Sequence, residues 1–157
     1  PNAEVTEIAV NSAIKGLELG LSGEKDVEIS GARLKDAKIS NEAPKGETVN
    51  VTLAVTKAAK LEFVTAGKGA TELSVTEGKF LNSSIATAKG KAEDSISFGA
   101  SSTIKGASIS LGKGSDTLTF SGRMKGKTTV ESGKGRDLIE ANSKDRGKGK
   151  LVLSEQV

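Results

Sequence analysis

Ile96-Ser97-Phe98 and Leu118-Thr119-Phe120 stand 22 residues apart and share one pattern, apolar–polar–apolar. The same element occurs before them at Val27-Glu28-Ile29, Val49-Asn50-Val51 and Leu73-Ser74-Val75, and after them at Ile139-Glu140-Ala141. The steps between first residues are 22, 24, 23, 22 and 21. Alternation with a period of two marks a strand with one buried face. Twelve or thirteen residues further on, each copy has a second apolar position: Ile39, Leu61, Ile85, Ile109, Val130 and Leu151. A third falls between them at Leu34, Val55, Phe80, Ile104 and Met124. Val5 and Leu17 precede Val27 and Ile39 by 22 residues, so residues 1–22 read as a partial first coil or N-terminal cap.

Turns punctuate the copies at matching places. Pro44-Lys45-Gly46, Gly67-Lys68-Gly69, Gly90-Lys91-Ala92, Gly112-Lys113-Gly114 and Gly133-Lys134-Gly135 each precede the first strand of a copy. Gly supplies positive φ at corners, and no stretch has a capped apolar stripe at helical spacing. An antiparallel sandwich is the rival, since it also has strands at 8–12-residue spacing. A sandwich does not require its strands to recur in phase; a solenoid does, because like positions stack from coil to coil. The sequence therefore predicts one all-β domain over 1–157, a parallel β-solenoid (β-helix) of about seven coils with roughly 22 residues each, its last strand at 150–157. Val27, Val49, Leu73, Ile96, Leu118 and Ile139 should form one axial row, with Phe98 on Phe120 as the largest contact.

Composition narrows the chemistry. The chain has no Cys, His, Trp or Tyr, and its only aromatic residues are four Phe. Absence of Cys removes disulfides and thiolate chemistry; absence of His removes the usual general base and the commonest transition-metal ligand. The expectation is a non-enzymatic protein with no catalytic residues. A net charge of +3 from 23 basic and 20 acidic residues, mixed along the chain, describes a solvated surface without a nucleic-acid footprint. No stretch approaches the roughly 18 apolar residues of a membrane helix, and no leader pattern opens the chain. Pro1 is the residue left when an initiator Met is removed, which suggests a leaderless product made in a host cytoplasm.

Five corner lysines, Lys45, Lys68, Lys91, Lys113 and Lys134, should stack along one edge, beside Glu47, Asp94, Asp116 and Asp137. Two readings remain open. One is a docking stripe for an acidic partner; the other is a solvated edge whose charges pair locally and discourage strand addition.

Gly112-Lys113-Gly114-Ser115-Asp116-Thr117-Leu118 and Gly133-Lys134-Gly135-Arg136-Asp137-Leu138-Ile139 resemble the GGxGxD nonapeptide of RTX (hemolysin-type) β-rolls. The resemblance implies calcium held between turns by Asp116 and Asp137, as a hard cation that takes several oxygens. The departures are a period of 22 in place of nine, Lys at the second Gly, and Thr71 or Glu47 where upstream coils would need Asp. The plainer reading is a Gly corner whose Asp bonds nearby backbone amides, with no cofactor.

The whole repeat, with strings such as Ser110-Leu111-Gly112-Lys113-Gly114-Ser115-Asp116-Thr117-Leu118-Thr119-Phe120, is similar to glycine-rich β-helical segments of cyanobacterial surface proteins and cyanophage virion structural proteins. That similarity implies a structural role on a particle or cell surface. The expectation is a phage capsid decoration (cement) protein on the capsid exterior, binding major capsid (coat) subunits and itself, as a homotrimer. Contacts would fall on Val5, Ile8, Val10, Leu151, Val152 and Leu153 in the terminal segments Pro1–Val10 and Leu151–Val157. The alternative is a calcium-dependent RTX-like secreted or surface binding module.

Overall fold

The computed structural model of the chain describes residues 4–22, 25–87, 91–141 and 150–154. These wind into an all-β parallel solenoid of about six turns, about 22 residues per turn, with no helix among the described residues. The strands are β1 (Glu4–Lys15), β2 (Glu18–Leu21), β3 (Lys25–Lys35), β4 (Lys38–Asn41), β5 (Thr48–Ala59) and β6 (Glu62–Thr65). They continue as β7 (Ala70–Leu81), β8 (Ser84–Ala86), β9 (Ser95–Lys105), β10 (Ser108–Ser110), β11 (Lys113–Gly114) and β12 (Thr117–Phe120). The last are β13 (Arg123–Lys125), β14 (Lys127–Glu131), β15 (Lys134–Gly135), β16 (Leu138–Ala141) and β17 (Lys150–Ser154).

Each strand pairs with its counterpart one coil away. One sheet runs β1-β3-β5-β7-β9-β12-β16, with β13 also on β9; the other runs β17-β14-β10-β8-β6-β4-β2, and β11 pairs with β15 at a corner. The first sheet's path has seven rungs and hence six steps, which reconciles a sequence count of seven coils with about six turns.

The chain leaves each long rung through one repeated corner. Gly16, Asp36, Lys60, Asn82, Gly106 and Gly126 occupy it, with φ between 46° and 72°. This left-handed region suits Gly and is tolerated by Asn and Asp, so Lys60 is the one strained choice. The N–H groups of Gly16, Asp36, Lys60 and Asn82 donate to carbonyls of the next coil, those of Lys35, Ala59, Leu81 and Lys105.

The core lies between the sheets and is made of inward rows. One is Val27, Val51, Leu73, Ile96, Leu118 and Ile139; another is Ile29, Leu53, Val75, Phe98, Phe120 and Ala141. Phe98 stacks on Phe120 at 5.3 Å between ring centroids and meets Phe80 edge-on at 5.4 Å. Offset stacked and edge-on pairs are the favoured aromatic geometries.

Three rows differ from the sequence expectation. Val51, not Val49, stacks between Val27 and Leu73, because the two extra residues of this coil lie in the turn before β5, around Pro44–Glu47. In the second sheet the row is Leu19, Ile39, Phe63, Ile85, Ile109, Val130 and Leu153; Leu17, Leu61 and Leu151 stand two residues earlier, at the strand entrance. In the third row Ala58 replaces Val55, because β3 pairs with β5 at one constant offset of 24 residues, which sets Leu34 against Ala58 just as it sets Val27 against Val51.

Phe98 touches aromatic rings on both sides. Phe98→Ala is expected to lower unfolding free energy by about 3–5 kcal/mol, read from urea denaturation followed by far-UV circular dichroism. A change below about 1 kcal/mol would mean that the stacked rings do not hold the coils together.

Candidate functional site: a lysine edge over an aspartate ladder

The corner that precedes each long rung separates its charges. Asp94 and Asp116 turn inward and are buried, at 4% and 1% exposure. Their carboxylates do not pair with any lysine among the described residues. Asp94 Oδ1 accepts the Thr71 N–H at 2.7 Å, Asp116 Oδ1 accepts the Asp94 N–H at 2.8 Å, and Asp137 Oδ1 accepts the Asp116 N–H at 3.0 Å. Each carboxylate therefore reaches back one coil to an amide that the sheet leaves unpaired. Earlier coils continue the same seam with neutral groups. Thr71 Oγ1 lies 3.0 Å from Thr65 Oγ1 and accepts from Asn41 Nδ2 at 2.8 Å, and Asn41 Oδ1 accepts the Ala43 N–H.

The aspartates of the RTX-like motifs make the backbone contacts expected of a Gly corner. Asp116 and Asp137 both act on backbone amides of the neighbouring coil, and Asp116 Oδ2 is buried without a partner. No group of three or more acidic side chains among the described residues is arranged to hold a metal ion. Thr71 does stand in the row of the aspartates; Glu47 does not, since Val49 pairs with Thr71. Gly135 sits where a Cβ would fall on the Gly114 carbonyl, so the corner admits glycine there.

Burial pushes the Asp94 carboxyl up to about 6; the Thr71 N–H opposes the shift and the Asp116 charge adds to it. Burial likewise raises Asp116, against the Asp94 N–H and with help from the Asp137 and Glu93 charges.

Lys45, Lys68, Lys91, Lys113 and Lys134 all point to solvent. None of the five forms an ion pair with another described residue. Lys113 pairs in register with Lys134, and the Ala92 carbonyl packs against Gly114, which aligns Lys91 with them. Lys45, Lys68 and Lys91 line an open groove of about 510 Å³, floored by Gly46, Thr48, Ala70 and Ala92, with Glu47 in its wall.

The terminal contact residues fall at opposite ends of the solenoid. Val5, Ile8 and Val10 lie on β1, in register with Asp26, Ile29 and Gly31; Leu151, Val152 and Leu153 lie on β17, in register with Thr128, Thr129 and Val130. The structure does not bring the two sets together. Pro1–Ala3 and Glu155–Val157 of the contact segments lie outside the described residues. Leu138 is a further exposed apolar residue, and sequence reading missed it. Its row runs Val5, Asp26, Asn50, Glu72, Ser95, Thr117 and Leu138, polar in every coil between the first and the last. The signal was present in Leu138-Ile139, which breaks the apolar–polar alternation.

No model of a known protein family matches the chain, and neither a curated protein nor a solved structure does. The resemblances to RTX and phage proteins gain no relative from these comparisons, and the fold class rests on the coil geometry.

The ladder predicts a pH effect with a definite sign. A pKa near 6 in the fold, above the ordinary 3.8, means that Asp94 favours folding fully below 3.8, and that this contribution fades as pH rises through 6. Asp94→Asn keeps the oxygen that accepts the Thr71 N–H and removes the buried charge. It is expected to be more stable than the parent by roughly 2–3 kcal/mol at pH 7.5, the gap closing by pH 4, as followed by thermal melts. A gap that is the same at both pH values would show that Asp94 ionises as an exposed carboxylate does.

Proposed function

We propose that this solenoid is a non-enzymatic structural protein that attaches through its C-terminal coil, in the specific form of a capsid decoration (cement) protein binding coat subunits and copies of itself. One observation carries the reading: at two outward positions that coil has apolar residues where the middle coils have polar ones. Leu138 ends a row that begins at Val5 and is polar at Asp26, Asn50, Glu72, Ser95 and Thr117, and it is 52% exposed. On the opposite sheet Val152 ends the row Glu18, Lys38, Glu62, Ser84, Ser108 and Thr129. Leu153 beside it ends the inward row that includes Val130 and is 57% exposed at the open end of the coil stack.

An apolar change on two faces of a single coil is what a docking patch requires, because large apolar side chains gain most when a partner covers them. The repeated body supplies stiffness and length, with a polar, Ser- and Thr-rich outer surface over the middle coils. The lack of His and Cys agrees with a role in attachment. The similarity of the repeat to cyanophage virion segments supports the capsid as the surface bound. A cement protein acts after the particle has formed, so synthesis in the host cytoplasm and residence on the capsid exterior go together.

The test uses two substitutions that should leave the core intact, Leu138→Asp and Val152→Asp. Native mass spectrometry reads self-association, and co-sedimentation with decoration-free cyanophage capsids reads attachment. Each variant is expected to keep the parent's circular dichroism and to lose capsid retention by about tenfold or more. Parent-like retention by both variants, or no retention of the parent chain, would remove the attachment reading.

A further inference from the structure

We infer that copies of this chain associate end to end, the last coil of one seating on the first coil of the next. The partner is a second copy of the chain, and the contact is made by the open strand edges at the two ends of the stack. β1 and β2 border the two sheets at one end, β16 and β17 at the other, and no described strand pairs with their outer edges. The outermost pairings, β1 with β3, β2 with β4, β12 with β16 and β14 with β17, are all parallel. The last coil therefore offers its neighbour the same kind of edge that each internal coil offers its successor. Leu138 belongs also to the docking patch, but this inference stands on both ends of the stack.

Three matches between the ends select a copy of the same chain. The first is in the backbone. The N–H groups of Lys38, Glu62, Ser84, Ser108 and Thr129 donate to the carbonyls of Leu17, Ala37, Leu61, Ser83 and Ala107 in the preceding coil, at 2.7–3.0 Å. By register, Glu18 heads the donor row and Leu151 closes the acceptor row, so a stacked copy sets a free N–H against a free carbonyl. The second match is in the core. Leu19 opens and Leu153 closes the row through Ile39, Phe63, Ile85, Ile109 and Val130. The inner members are buried, Leu19 is half-buried and Leu153 is exposed, and stacking gives both ends the cover that the rest have.

The third match is the row from Val5 to Leu138, apolar at its two ends and polar between them. End-to-end stacking makes those two residues neighbours, one strand spacing of about 4.8 Å apart. A partner of other chemistry has no reason to answer to both ends of one row. Because the two contact surfaces differ, the contact is heterologous and repeats along a line without closing into a ring. Glu7 and Glu140 also head and close one row, so like charges meet at the junction and limit its strength.

The experiment is sedimentation velocity of the intact chain over a roughly hundredfold range of concentration. No capsid enters it, so its result is separate from that of the attachment test. The mean sedimentation coefficient is expected to rise continuously, with no plateau at a dimer or trimer. Leu153→Lys blocks one end. Glu18→Pro blocks the other by removing the leading donor, and Leu19→Lys blocks the same end without proline. Each blocked variant should keep the parent's circular dichroism and sediment as a monomer. Mixing a variant blocked at Leu153 with one blocked at Glu18 or Leu19 should give a one-to-one dimer and nothing longer. Glu140→Lys should tighten association roughly two- to fivefold, a sign that damage to the fold would not produce. A parent that stays monomeric, a closed oligomer of fixed size, or blocked variants that assemble as the parent does or fail to pair when mixed would each overturn the assignment.

Discussion

Each coil hydrogen-bonds only to the coils beside it, at one strand spacing, so a residue's neighbour along the axis is its own counterpart. That constraint governs the molecule. Apolar side chains reinforce the arrangement by stacking, as Phe98 does on Phe120. A polar group set inward meets another polar group above and below, and must find a use for its hydrogen bonds or leave them empty. The aspartate ladder is the solution at one corner. It turns three like charges in a column, normally a source of repulsion, into acceptors for amides that the turn would otherwise strand.

The same constraint explains why the fold was legible before any coordinates. Phase that recurs every 22 residues is redundant information, and six copies of one apolar–polar–apolar element outweigh irregularity in any one of them. Register was less legible. The two residues inserted near Pro44 could be placed on either side of Val49-Asn50-Val51 without spoiling the alternation, because a shift of two keeps every side chain on its own face. Only the pairing of Val51 with Leu73 resolves the choice. The neighbouring row failed for a related reason. Leu61 and Phe63 both face inward, two residues apart, and only the ladder tells which of them continues Ile39.

The candidate surfaces were legible in part. The lysine column followed from the corner motif, but the direction of the acids did not. Whether Asp94 faces solvent beside Lys91 or an amide inside the coil depends on backbone geometry at a turn, and composition is silent on it. Val152 and Leu153 stood out as an apolar last strand, whereas Leu138 was masked by Ile139, its inward neighbour. An outward leucine becomes meaningful only once Asp26, Asn50, Glu72, Ser95 and Thr117 are seen to share its row. The two surfaces divide the molecule: charge runs along its length, and apolar area gathers on its C-terminal coil.

The ladder also gives the rod an arrow. Every carboxylate points toward the N-terminal side, so each coil is completed by the one synthesised after it. Shortening the chain from its beginning removes donors and leaves the remaining aspartates facing free space at one boundary. Shortening it from its end strips an acceptor from a buried amide, so the newly terminal coil inherits an orphaned N–H. The two ends of an otherwise repetitive body are therefore unequal in how they tolerate loss, and a nascent chain acquires its closure from behind, one turn late.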